Sequence, residues 1–169
     1  TVYFLSENVG FLGGDEILLR TSNGGSSWEE IEAPLPRFVK GILFINDTLG
    51  YLFGVYDGGG HIIRTTNQGL NWTYDILYPQ IHQYIGSINS IIKTNCHNLW
   101  AVNTGGKILR SYDRGYDWHI VEDSSLIFSQ NSIAAVNNLT AWIVGGDNGN
   151  PNRILKTSDA GQNFVVQLS

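Results

Sequence analysis

Cysteine is nearly absent from this chain of 169 residues, and methionine is entirely absent. The single cysteine, Cys96, excludes an internal disulfide framework and a cluster of thiolates around a metal ion. No apolar run approaches the length of a transmembrane helix, and no signal peptide is visible. Because even the first residue is not methionine, we expect a mature or excised chain that is exported to the periplasm, the cell surface or the medium.

Charged residues are also scarce, at 15% of the chain, and the net charge is −5. This balance gives no basic surface for nucleic acid or for an acidic membrane. Hydrophobic residues make up 42%, which indicates a folded and not a disordered chain. The 20 glycines fit a protein rich in strands and turns, and the length is sufficient for one domain with a sizeable core.

The usual signatures of catalysis are missing as well. The four histidines show no metal-ligand spacing. The sequence has no nucleophile elbow, phosphate-binding loop or dinucleotide-binding motif. The segment 147–150 resembles a calcium loop only weakly, and a plain turn is the better interpretation. We therefore predict no catalytic residue, no metal and no cofactor.

The sequence does contain one motif, or phrase, that occurs four times at a period of about 45 residues, which is typical of a repeat architecture. Each copy has two apolar residues and a basic one, and then Ser/Thr-x-Asn/Asp-x-Gly-x-x-aromatic. The four copies are Thr21, Asn23, Gly25 and Trp28; Thr65, Asn67, Gly69 and Trp72; Ser111, Asp113, Gly115 and Trp118; and Thr157, Asp159, Gly161 and Phe164.

The phrase predicts a β-hairpin whose turn is closed by side-chain hydrogen bonds to the backbone. The apolar residues before the hydroxyl residue suit a buried strand. The Asn or Asp side chain accepts hydrogen bonds from nearby backbone N–H groups, and the glycine supplies the positive φ of a tight reversal. The aromatic residue then opens the returning strand and buries a large surface beside the turn.

This pattern resembles the Asp-box, or BNR, repeat. The resemblance implies β-propeller blades with the box between the third and fourth strands. Asp-boxes occur in sialidases, sorting-receptor propellers, some glucanases and the Ycf48-like group of photosystem II assembly factors, and the chain is most similar to the last. We expect an all-β protein of four four-stranded antiparallel blades, at about 1–33, 34–77, 78–123 and 124–169. These blades are expected to form part of a larger propeller, or one completed by self-association; a closed ring of four is the third alternative.

Two further patterns predict what lies between the blades and what lies at their ends. An aromatic column on the second strands is interpreted as packing between blades; its members are Phe11, Tyr51, Trp100 and Trp142. Length variation falls in the connection between strands two and three and in the connection between units, both opposite the boxes. Because insertions in repeats collect on the binding face, we predict the ligand face there. Its candidate residues are Arg37, Tyr56, Asp57, His61, Tyr78, His82, Tyr84, Asp147, Asn150 and Arg153; the alternative is that these are solvated loops.

The function predicted from these patterns is a non-catalytic binding or assembly scaffold that holds a protein partner on the face opposite the boxes. A sialidase would need three arginines around its sugar, but Arg20, Arg64 and Arg110 occupy one repeat column and are interpreted as structural. A glycosidase would need two converging acids; Asp57 and Asp147 lie on the candidate face, but nothing in the sequence brings them together. The alternative function is a carbohydrate-active module, either a glycan-binding propeller or a portion of a glycoside hydrolase.

Overall fold

The computed structural model describes residues 1–56, 59–75, 86–121, 128–147 and 150–168. Within these ranges the protein is all-β, with four four-stranded antiparallel sheets and no helix, as the sequence predicted. In this described part of the chain, no helix is long and apolar enough to cross a membrane.

The strands of each sheet lie side by side in chain order. The first blade contains β1 (Val2–Phe4), β2 (Gly10–Gly13), β3 (Leu18–Thr21) and β4 (Glu29–Glu30). The second contains β5 (Phe38–Phe44), β6 (Gly50–Tyr56), β7 (Gly59–Thr65) and β8 (Thr73–Asp75). The third contains β9 (Ile88–Lys93), β10 (Leu99–Asn103), β11 (Ile108–Ser111) and β12 (His119–Val121). The fourth contains β13 (Gln130–Ala135), β14 (Ala141–Asp147), β15 (Asn150–Thr157) and β16 (Val165–Leu168).

Two connections that the sequence suggested were long loops are extended hairpins. In the second blade, β6 and β7 stay paired as far as Tyr56 opposite Gly59. In the fourth, β14 and β15 stay paired as far as Asp147 opposite Asn150. The antiparallel ladder satisfies backbone N–H and C=O groups that a loop would leave to water, so the inserted residues lengthen the strands.

The blades pack face to face in chain order. Each of three buried apolar clusters joins two successive blades. The first strands follow the same order, because β1 contacts β5, β5 contacts β9 and β9 contacts β13. No contact of similar extent joins β13 back to β1 among the described strands. The described blades therefore form an open series with one uncovered face at each end.

The aromatic column on the second strands lies largely between the blades, as predicted. Phe11, Tyr51 and Trp100 are fully buried, each on the side that faces the following blade. Trp142 differs, because it is only half-buried. It lies on the uncovered face of the fourth blade, where the described part of the chain supplies no following blade.

Candidate functional site

Each box turn is closed by the same hydrogen bonds. In the third blade, the Ser111 hydroxyl donates to Asp113 at 2.8 Å and accepts from the Gly115 N–H at 2.7 Å. The Asp113 carboxylate also accepts from the Asp117 N–H at 2.9 Å. In the other three blades, the hydroxyl of the threonine makes the corresponding two bonds at 2.8–3.0 Å. The hydroxyl and the Asn or Asp side chain thus hold both arms of the hairpin together.

Every box turn also places two successive residues in the left-handed region of the backbone. The glycines have φ values from 73° to 95°, and the preceding residues have φ values from 59° to 70°. Those preceding residues are Gly24, Gln68, Arg114 and Ala160. Each donates its N–H to a backbone oxygen in the turn between strands one and two of its own blade. These bonds offset the cost of about 1–2 kcal/mol for a non-glycine residue in this conformation.

Two of the four boxes carry an ionisable carboxylate. Hydrogen bonds from the Asn163 side chain and backbone, and from Thr157, lower the pKa of Asp159 to about 2. Partial burial acts to raise the pKa of Asp113, but hydrogen bonds from the Asp117 backbone and the Ser111 hydroxyl outweigh it and lower that pKa. The corresponding residues of the first two blades are Asn23 and Asn67, which do not titrate.

The boxes of the second, third and fourth blades also pack against the preceding blade. The Tyr51 hydroxyl of the second blade donates to the Arg114 oxygen in the third box at 2.6 Å. Arg110 of the third blade lies over the Trp100 ring at 4.1 Å and donates to the Ala160 oxygen in the fourth box at 2.6 Å. Burial lowers the pKa of Arg110. Arg110, one member of the arginine column, therefore joins two blades.

The opposite end of the blades carries a polar row that the sequence patterns did not reveal. In β5, β9 and β13, the register shifts by one residue near the start of the strand. The extra residues of these three β-bulges are Lys40, Asn89 and Asn131, and we call them the bulge row. Bulges redirect side chains and are enriched beside functional sites.

The bulge row is linked from blade to blade by hydrogen bonds. The Lys40 ammonium group donates to the Asn89 side-chain oxygen. The Asn89 side-chain nitrogen then donates to the backbone oxygen of Gln130, next to Asn131, at 2.6 Å. Lys40 is exposed overall, yet desolvation of its ammonium group lowers its pKa. Three neighbouring strands therefore present one continuous set of donors and acceptors.

Buried amide groups without a partner lie beside this row. The Gln130 side chain is fully buried, and neither of its amide atoms has a hydrogen-bond partner among the described residues. Unpaired buried polar atoms cost about 1–3 kcal/mol each and need an explanation. Next to Gln130, a cavity of about 320 Å³ opens on the fourth blade; it is lined by Asn131, Val144, Gly145, Asn152, Arg153 and Ile154.

The structure describes three of the predicted ligand-face side chains. Arg37 is exposed and lies over the Phe38 ring at 5.6 Å. His61 contacts the Tyr74 ring edge to face at 5.7 Å. Arg153 lines the cavity and lies over the Phe128 ring at 5.6 Å. The backbones of Tyr56, Asp147 and Asn150 lie in the extended hairpins, but the structure does not describe their side chains. Asp57, Tyr78, His82 and Tyr84 lie outside the described residues.

A metal site or an acid pair would need acidic or histidine side chains that converge. No group of three or more His, Cys, Asp or Glu side chains within the described ranges is close enough to hold a metal ion. The candidate acid pair Asp57 and Asp147 falls where side chains are not described, so it stays a prediction.

A signal for the bulge row does exist in the sequence, since each bulge places a polar residue at the start of an apolar first strand.

These blades define the class of protein: the chain has the fold of an Asp-box-like β-propeller. Among solved structures, it is similar to YCF48 bound to D1 peptide, with 14% identity over 99% of this chain and 81% of that chain, and a TM-score of 0.57. It is similar to YCF48 from Cyanidioschyzon merolae, with 17% identity over 98% of this chain and 54% of that chain, and a TM-score of 0.67.

A carbohydrate-active propeller matches as well. An ancestral GH74 enzyme aligns at 18% identity over 97% of this chain and 23% of that chain, with a TM-score of 0.74. No protein-family model matches the sequence, and no curated protein sequence matches it. The chain thus spans from about a quarter to four fifths of the propellers it resembles, and at these identities the likeness establishes the fold alone.

Proposed function

We propose that this chain is a non-catalytic scaffold that binds an extended segment of a protein partner across the bulge row, on the face opposite the Asp-boxes. The observation that carries the proposal is the hydrogen-bonded series from Lys40 through Asn89 to Gln130, which crosses three blades. The third and fourth boxes pack against the preceding blades, which favours the opposite end for a ligand.

The chemistry of this face suits a peptide. A peptide backbone offers N–H donors and C=O acceptors at regular intervals, and amide side chains such as Asn89 and Asn131 pair with both. Lys40 adds a cation that favours an acidic or carboxylate-bearing segment. The similarity to YCF48 bound to D1 peptide supports the proposal, since a propeller of the same fold binds a peptide.

Peptide display tests this proposal. A random peptide library is panned on the purified chain, and the affinity of enriched peptides is measured by calorimetry. We expect Lys40→Ala and Asn89→Ala to weaken binding at least about tenfold, as expected when a charge-assisted hydrogen bond is lost. The control is Ser26→Ala, an exposed serine in the first box turn. Peptides that bind equally well to both bulge-row variants would refute the site.

The second candidate function is a carbohydrate-active module, which the similarity to a GH74 enzyme favours. A glycan array and a screen with aryl glycosides test it on the same purified chain. Under this alternative, a glycan is bound or turned over, and Asp57→Asn or Asp147→Asn abolishes turnover. Under the scaffold proposal, neither assay gives a signal and the panned peptides bind.

A further inference from the structure

The first box differs from the other three in the residue that follows its Asn or Asp. Asn23 is followed by Gly24, whereas the corresponding residue in the other boxes is Gln68, Arg114 or Ala160. Asparagine is a thermolabile residue. Its side-chain carbonyl carbon can be attacked by the backbone nitrogen of the next residue, and a glycine there leaves that nitrogen unhindered and its backbone free to rotate. Among the four boxes, the first therefore contains the pair of residues most prone to this reaction.

In the folded box, both reacting groups are held by hydrogen bonds. The Asn23 side-chain oxygen accepts from the Thr21 hydroxyl and from the Ser27 N–H, each at 2.9 Å. The Asn23 side-chain nitrogen donates to the Ser27 hydroxyl at 2.8 Å. The Gly24 N–H, which would supply the attacking nitrogen, donates instead to the Asn8 backbone oxygen at 2.9 Å. The reaction therefore requires the box to open locally.

We propose that Asn23 is a site of spontaneous deamidation, which the closed box suppresses and which converts the first box into one that carries an aspartate. The Gly24 nitrogen attacks the Asn23 side-chain carbonyl carbon and forms a bond to it. The bond from that carbon to Nδ2 breaks, and ammonia leaves with the Gly24 amide proton. A water molecule then opens the resulting cyclic imide at either of its carbonyl groups. The reaction consumes only water and needs no oxidant or cofactor.

The two products of the ring opening have different consequences for the box. Opening at the former side-chain carbonyl gives aspartate, the residue type that closes the third and fourth boxes with the same acceptor bonds, through Asp113 and Asp159. Opening at the backbone carbonyl gives isoaspartate, in which the main chain runs through the side-chain carbon and gains an atom. The spacing that lets the Thr21 hydroxyl reach the Gly25 N–H is then lost. Either product adds a negative charge to the net charge of −5.

The test follows deamidation at mildly alkaline pH by peptide mapping and mass spectrometry, which separate Asn23 from Asn148, the other asparagine that precedes a glycine. Ser27→Ala removes the hydroxyl that holds the Asn23 side-chain nitrogen. We expect it to raise the rate at Asn23 about fivefold, the change in local opening when one ordinary hydrogen bond is lost. The control is Ser26→Ala, an exposed serine of the same turn, which should leave the rate unchanged. The native chain unfolded in urea should react fastest.

The comparison of folded and unfolded native chain needs no variant, so it decides the matter even if Ser27→Ala does not fold. Equal rates at Asn23 in the two states overturn the proposal, because the box then gives no protection, and so does an unfolded chain that does not react. Equal rates in Ser27→Ala and Ser26→Ala also contradict it. Asn23→Asp checks the product: this variant should resist urea at least as well as the native chain, and a clear loss of stability would overturn the claim that aspartate closes the first box.

Discussion

Glycines at the same place in two boxes face different surroundings. Gly25 and Gly115 both have positive φ, at 89° and 95°, a conformation that only glycine adopts at little cost. Replacing either glycine by another residue therefore strains the backbone. Only Gly115 is also closed in by a neighbouring blade, through the Tyr51 ring. Comparing the two positions separates backbone strain from packing between blades.

We predict that Gly25→Ala lowers the free energy of unfolding by about 1–2 kcal/mol, the cost of a left-handed alanine. Gly115→Ala should cost about 1–3 kcal/mol more, because the added methyl group overpacks against Tyr51. Equilibrium urea unfolding of both variants measures the difference. Equal losses in the two variants would mean that the third box is not seated on the second blade.

The box carboxylates predict a dependence of stability on pH. Folding lowers the pKa of Asp159 from 3.8 to about 2 and also lowers the pKa of Asp113. At pH values above 3.8, the two ionised carboxylates therefore stabilise the folded protein. That contribution is lost as the pH falls from about 4 towards 2, because the proton then binds the unfolded state more tightly.

We therefore expect the melting temperature of the native chain to fall more steeply between pH 4 and about 2 than that of an Asp113→Asn, Asp159→Asn double variant. Asparagine keeps the turn, as Asn23 and Asn67 show in the first two boxes. Asp47→Asn, an exposed carboxylate outside the boxes, is the control. The prediction fails if the double variant and the native chain lose stability in parallel.

At the scale of strands and blades, the repeated phrase carried most of the information. A hydroxyl, an Asn or Asp and a glycine at fixed spacing determine a hairpin locally, so the four sheets could be predicted from residues such as Thr65, Asn67 and Gly69. The extended hairpins could not be predicted, because glycines at 58–60 indicate a loop as readily as a strand. The bulge row was missed because a bulge is a shift in pairing between strands, which a one-strand pattern does not record.

The position of a blade decides what its second-strand aromatic contributes. Trp100→Ala should lower the free energy of unfolding by about 3–5 kcal/mol, since the ring is fully buried between two blades. Trp142→Ala should cost about 1–2 kcal/mol, because this ring is half-buried on the outer face of the fourth blade. Urea unfolding at low protein concentration compares the two. A Trp142→Ala cost as large as that of Trp100→Ala would show that the Trp142 ring is buried against another part of the protein.

The whole molecule is a series of similar units in which each blade contacts its neighbours. In such arrays, stability is the sum of unit and interface contributions, and end units need polar outer faces to remain soluble alone. Here the outer faces of the first and last described blades expose apolar side chains, as inner blades of a longer series would. The two ends of the strands differ in another way. At the box end, Tyr51 and Arg110 bond to the box backbone of the next blade. At the bulge-row end, Lys40 and Asn89 form a polar series beside the unpaired, buried amide of Gln130.

Ligand binding at the bulge-row end can be located by hydrogen–deuterium exchange of backbone amides, measured with and without a saturating peptide from the display experiment. We expect slower exchange at 38–41, 88–90 and 130–132, where the three bulges lie. Protection confined to the box turns at 21–28, 65–72, 111–118 and 157–164 would contradict it.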